Sequence, residues 1–92
     1  MKDIQLDITP FQDKTTLHQY LKEAMDFPFY YGANLDALYD ELSSTTESIS
    51  ILLRYPAAPA GKMADYLPRL LAVFQDSARE NYNLTIRYEQ AE

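Results

Sequence analysis

Three short apolar runs, at 3–8, 49–54 and 82–89, constrain the fold of this chain most, because the stretches between them are too long for hairpins and carry helical periodicity. In the first run Ile4, Leu6 and Ile8 share a face against Asp3, Gln5 and Asp7, and Pro10 closes it. In the second, Ile49, Ile51 and Leu53 share a face while Leu52 puts an apolar group on the other, the mark of a central strand. In the third, Tyr82, Leu84, Ile86 and Tyr88 alternate with Asn83, Thr85, Arg87 and Glu89. Strands joined by long helical connections pair in parallel through right-handed crossovers. The polar alternate faces of the outer strands put the helices on one side only. The expectation is therefore an α/β, two-layer fold: a small three-stranded parallel sheet with helices packed on one face.

The first connection holds a helix at about 14–25, capped by Asp13 or Thr16, with Leu17, Tyr20, Leu21, Ala24 and Met25 along its apolar face. His18 lies beside that face and is read as a packed or hydrogen-bonded residue. Phe27-Pro28-Phe29 forms a loop whose two phenylalanines are assigned to the core, and Gly32 lets the chain turn freely. Asn34 caps a helix that begins at Leu35. There Leu35, Leu38 and Leu42 form a buried side, which leaves Asp36, Asp40 and Ser43 as an outward stripe flanked by Tyr39. Residues 43–48 read as polar and turn-like. Pro56, Pro59 and Gly61 leave at most a turn or two of helix near 62–66, and Pro68 is placed as the first residue of a helix reaching about Glu80 through Leu70, Leu71, Phe74 and Ala78.

Ninety-two residues suffice for one domain, 1–92, held by packing alone. With no cysteine there is no disulfide, thiolate zinc site or cysteine nucleophile, which suits a reducing cytosol. The N-terminus lacks a signal-peptide core and no apolar run is long enough to span a bilayer, so a cytoplasmic protein that is a monomer when free is expected. The net charge is −6, and its distribution carries more meaning than its size: residues 23–53 hold six acids (Glu23, Asp26, Asp36, Asp40, Glu41, Glu47) and no Lys or Arg. A surface of one sign attracts a basic partner and repels nucleic acid. Catalytic signatures such as HExxH, a P-loop or G-x-S-x-G are absent, and one histidine cannot build a two-histidine metal site. Asp36 and Asp40, one turn apart, could hold Mg²⁺ only weakly without further fixed oxygens, so neither metal nor cofactor is assigned.

The stretch Tyr30-Tyr31-Gly32-x-Asn34-Leu35-Asp36-Ala37-Leu38-x-Asp40 resembles the signature of the barstar family, intracellular inhibitors of barnase-type ribonucleases. Nine specified positions make a chance match about one in a billion or rarer. Weaker likeness extends through Leu17-His18-Gln19, Val73-Phe74 and Leu84-Thr85-Ile86. The resemblance implies strand order 1-2-3, a short helix near the proline-rich segment, and a proteinaceous inhibitor whose acidic helix occupies the phosphate site of a barnase-like or toxin ribonuclease. It makes Asp40 the central acid, Asp36, Asn34 and Leu35 contacts on the same helix, Tyr30 an aromatic against the nuclease, and Asp76 an acid from the last helix. Tyr31 and Gly32 either support the loop or touch the partner. The chain departs from the family at Tyr39, which stands for a tryptophan, at Ser43-Ser44-Thr45, which stands for Thr-Gly-Trp, and at Ala33, which stands for an acid. These rim positions bear on partner choice. An acidic adaptor binding a basic protein that is not a nuclease remains the alternative.

Overall fold

The computed structural model describes residues 1–91. In chain order the elements are β1 (Lys2–Asp7), α1 (Lys14–Met25), α2 (Leu35–Ser44), β2 (Ile49–Pro56), α3 (Lys62–Glu80) and β3 (Leu84–Ala91). The strands form one parallel sheet in the order β1-β2-β3, with β2 central as Leu52 suggested. In register, Ile4, Ile51 and Ile86 form one cross-strand row and Leu6, Leu53 and Tyr88 the next. With Ile8 and Ile49 these rows make the face that the helices cover. The opposite face is polar. Its last row, Asp7-Arg54-Glu89, is joined by ion pairs of 3.7 and 3.2 Å, and its half-buried Leu52 lies between Gln5 and Arg87.

The helix layer follows from apolar stripes. Leu17 and Leu21 of α1, Leu38 and Leu42 of α2, and Leu70 and Phe74 of α3 are essentially inaccessible and pack with Leu6, Ile8, Ile51 and Leu53 into one core. Each such side chain contributes about 1.5–3 kcal/mol relative to exposure. Asp13 caps α1 by accepting from the Thr16 amide at 2.8 Å, and Asp26, in the left-handed region at φ 57°, ends it.

Several boundaries differ from expectation, among them the end of β2, which reaches Pro56 and not 54. Pro68 does not open a helix but lies inside α3, which runs unbroken from Lys62. The apolar stripe explains this: Met63, Tyr66 and Leu67 are buried on the same side as Leu70 and Phe74, while Pro68 faces solvent. An interior proline costs about 3 kcal/mol, less than the burial of three large side chains in the preceding turns. Gly61, at φ 62°, supplies the left-handed entry that α3 needs, with open space around it. The last strand begins at Leu84 rather than Tyr82, because Asn81 ends α3 and Tyr82 then stands 94% exposed in the turn. Tyr88, too, is only partly covered, since the helices do not reach the far end of β3.

Candidate functional site

Helix α2 is fixed at both ends and along one side. At its start the Asn34 side-chain oxygen accepts from the Ala37 amide at 2.7 Å, while its Nδ2 donates to the Gly32 carbonyl at 3.3 Å. At its finish the buried Asn81, from the end of α3, donates through Nδ2 to the carbonyls of Leu42 at 3.1 Å and Thr45 at 2.9 Å. These are carbonyls that a helix leaves unpaired. Between the ends, Leu38 and Leu42 lock the inner side into the core.

The outer side carries the carboxylates. Asp36 and Asp40 are exposed, four residues apart and so on one face, and neither carboxylate makes a hydrogen bond or ion pair among the described residues. Leu35, Tyr39 and Ser43 are half-buried, so the stripe expected to end on Ser43 is open only at its two acids. Ser43 and Ser44 belong to the last turn of α2 rather than to the loop, and the Ser44 hydroxyl donates to the Asp40 carbonyl. Thr45 ends the helix and, with Ser44, Glu41, Glu47 and Asp26, lines a cleft of about 400 Å³. Asp76 is exposed on α3, which packs against α2, but it is held by Arg79 of the same helix at 3.3 Å. Such an exposed pair contributes only a few tenths of a kcal/mol.

The loop before α2 is where the sequence expectation fails most usefully. Phe29, assigned to the core, is 88% exposed beside Tyr30 at 72%, their rings edge to face with centroids 5.6 Å apart. The Tyr31 amide donates to the Pro28 carbonyl at 3.0 Å, closing a turn whose two central residues are Phe29 and Tyr30. Central turn residues project outward, whereas the flanking Phe27 and Tyr31 turn inward, with ring centroids 4.8 Å apart. The sequence did hold this signal, in the proline that opens the turn. Gly32 is not the residue that needs conformational freedom: Ala33 takes the left-handed geometry, φ 53°, while Gly32 sits where a Cβ would come within 3.3 Å of that of Ala37.

Beneath this loop, His18 is fully buried and hydrogen-bonded through Nδ1 to the Tyr31 hydroxyl at 2.7 Å and through Nε2 to the Tyr66 hydroxyl at 2.6 Å. It is a packed, hydrogen-bonded residue, as expected. Burial favours its neutral form and holds its pKa below the ordinary value. Burial likewise raises the pKa of Tyr31, with Tyr66 and Glu41 adding to the effect, and raises that of Tyr66 against the opposing charge of Arg69. The triad ties α1, the loop and α3 together behind the exposed aromatics. Among the described residues there is no group of three or more His, Cys, Asp or Glu side chains that could hold a metal ion, and no helix is long and apolar enough to cross a membrane.

The exposed elements are thus a fixed helix with two carboxylates that have no partner among the described residues, and two exposed aromatic rings on the turn that precedes it. Comparison with known proteins gives the chain a lineage. Residues 1–90 match the family model described as "Barstar (barnase inhibitor)". A Bacillus subtilis (strain 168) protein named "Putative ribonuclease inhibitor YrdF" is 33% identical over 81 residues, covering 87% of this chain and 89% of that protein. The family match spans all three helices and, but for Ala91, all three strands, and it includes the aromatic turn and the helix that carries Asp36 and Asp40. The chain belongs to the barstar family.

Proposed function

We propose that this protein is a ribonuclease inhibitor, acting in the cytoplasm, whose α2 carboxylates stand in for an RNA phosphate in the active site of a barnase-type or toxin ribonuclease. The observation that carries this reading is the pair Asp36 and Asp40: exposed, free of internal partners among the described residues, and borne on a helix anchored at both ends. A ribonuclease holds its substrate phosphate with Arg, Lys and His donors, and fixed carboxylates satisfy the same donors with charge-assisted, often bidentate hydrogen bonds. Because the helix is already ordered, little conformational freedom is lost on docking.

In this reading Asp40 is the central acid. Asp36 flanks it, and Tyr30 with Phe29 provides an aromatic anchor of the kind that dominates interface energetics. Asn34 contributes chiefly by capping, since its side chain is occupied by Ala37 and Gly32. Tyr39, Ser43, Ser44 and Thr45 form the rim toward the far end of the helix, and Asp76 adds an acid from α3 once it exchanges Arg79 for a partner cation. The smaller side chains of Tyr39 and Thr45, where the family has tryptophans, fit a cognate nuclease that differs from barnase in its surface.

The test is inhibition of RNA cleavage by a panel of small basic ribonucleases, including any encoded beside this gene, with and without EDTA. Inhibition of at least one at sub-micromolar concentration, unchanged by EDTA, is expected. If none is inhibited and pull-down from the host recovers a basic partner without nuclease activity, the protein is an adaptor instead.

A further inference from the structure

Three of the eight basic residues of this acidic chain meet around one ring. Lys14 opens α1, Lys62 opens α3, and Arg69 follows two turns later. Lys14 Nζ lies 4.9 Å from the centroid of the Tyr66 ring and Arg69 Cζ 6.0 Å from it. The ring is itself fixed by its hydroxyl on His18, so the two cations rest on an immobile plate. None of the three forms an ion pair within 4.0 Å among the described residues, although Asp65 lines the same hollow and the charge of Lys62 helps to lower the pKa of Asp13. Packing does not require this gathering of like charge. Stability would be better served by pairing each cation with one of the many surplus acids, and such a departure from local optimisation is expected at sites kept for binding.

The cluster is also continuous with the docking helix. A depression of about 270 Å³ has Lys14, Tyr66 and Arg69 on one wall and Ala33, Asn34, Leu35 and Asp36 on the other. We propose that Lys14 and Arg69, seated on Tyr66, with Lys62 lining the same hollow, form a cationic rim that receives an acidic side chain of the inhibited nuclease at the margin of its active site. This rests on the inhibitor reading above. An inhibitor of net charge −6 is drawn to any basic protein, and a positive spot at the edge of the negative face discriminates: it welcomes a nuclease with an acid at that place and repels one with a base. A free phosphate is a poorer occupant, because the Asp36 carboxylate on the facing wall repels a dianion until a partner's cation neutralises it.

Binding to the nuclease that the wild type inhibits is measured by calorimetry for Lys14→Glu/Arg69→Glu, for the milder Lys14→Gln/Arg69→Gln, which keeps stems over Tyr66, and for Arg87→Glu on the open sheet face as a control. Thermal unfolding of each accompanies the binding data. The expected result is a loss of about tenfold or more for the reversal, a smaller loss for the neutral pair, and none for Arg87→Glu. Replacing the facing acid of the nuclease by lysine restores affinity to the reversal. Wild-type affinity in both double variants overturns the proposal and leaves the inhibitor reading standing. So does binding of inorganic phosphate to the free protein that both double variants lose while their nuclease affinity is unchanged, which makes the hollow a small-anion site. Failure of wild type and Arg87→Glu alike to bind any nuclease overturns the inhibitor reading and this proposal with it.

Discussion

The imidazole of His18 reaches the Tyr31 hydroxyl at 2.7 Å, and through this bond a buried side chain of α1 sets the base of the exposed turn at Phe29 and Tyr30. With Tyr66 on its other nitrogen, a neutral imidazole is fully used: one hydroxyl accepts from the ring N–H and the other donates to the bare nitrogen.

Protonation disturbs that arrangement, and the sign of its effect follows. The unfolded chain takes up a proton on this histidine near its ordinary pKa of 6.5, the folded chain only at lower pH. The contribution is therefore complete above about pH 6.5 and is lost as pH falls from there through the folded pKa. Urea unfolding of the wild type between about pH 7 and 5 should show falling stability, and His18→Gln should flatten that dependence. His18→Leu, which strands both hydroxyls, should cost about 2 kcal/mol or more at neutral pH.

Asn81 gives a second prediction. Its amide satisfies the Leu42 and Thr45 carbonyls, and its own oxygen accepts from the Asn83 amide at 3.0 Å. Asn81→Asp keeps shape but replaces a donor by a negative acceptor facing two carbonyl oxygens. A loss of roughly 1–3 kcal/mol is expected in chemical unfolding, with faster amide exchange in the last turn of α2 and weaker inhibition.

The base-free segment 23–53 contains the turn and helix through which we propose that the nuclease docks. Association with the nuclease should slow markedly between low and physiological ionic strength while dissociation changes less, a behaviour for which barnase and barstar are themselves a standard example. Stopped-flow mixing measures it. An association rate indifferent to salt would place the docking face elsewhere.

Much of this was legible in the sequence where one local rule acted alone. Helix α1 runs over the residues expected for it, because Asp13 and the apolar spacing agree, and Asn34 caps α2 as its side chain suggests. The reading failed where tertiary packing outweighed a local signal. Pro68 marks a helix start in isolation, but the stripe from Met63 to Phe74 carries the helix through it. Phe29 looks like core by composition, but the turn at Pro28 throws it outward. The Asn81 clamp and the His18 triad join residues 36 and 48 positions apart, and no local pattern announces such bonds.

The central claim rests on Asp40. Its carboxylate has no partner among the described residues, and the Ser44 hydroxyl uses only its backbone carbonyl, so Asp40→Ala should move folding stability by no more than about 0.5 kcal/mol. Inhibition should weaken by about 2 kcal/mol or more, roughly thirty-fold, because the nuclease's buried cations lose their counter-charge. Asp36→Ala should act in the same direction more mildly. Glu41→Ala removes the same charge from a half-buried neighbour that lines the cleft rather than the outward face, and should leave inhibition nearly intact. The most direct measurement is the inhibition constant of these three variants beside their thermal unfolding. A large loss of inhibition confined to Asp40→Ala and, less, Asp36→Ala, with unfolding unchanged, is the expected result; early unfolding of Asp40→Ala, or an equal loss in Glu41→Ala, would contradict phosphate mimicry by this residue.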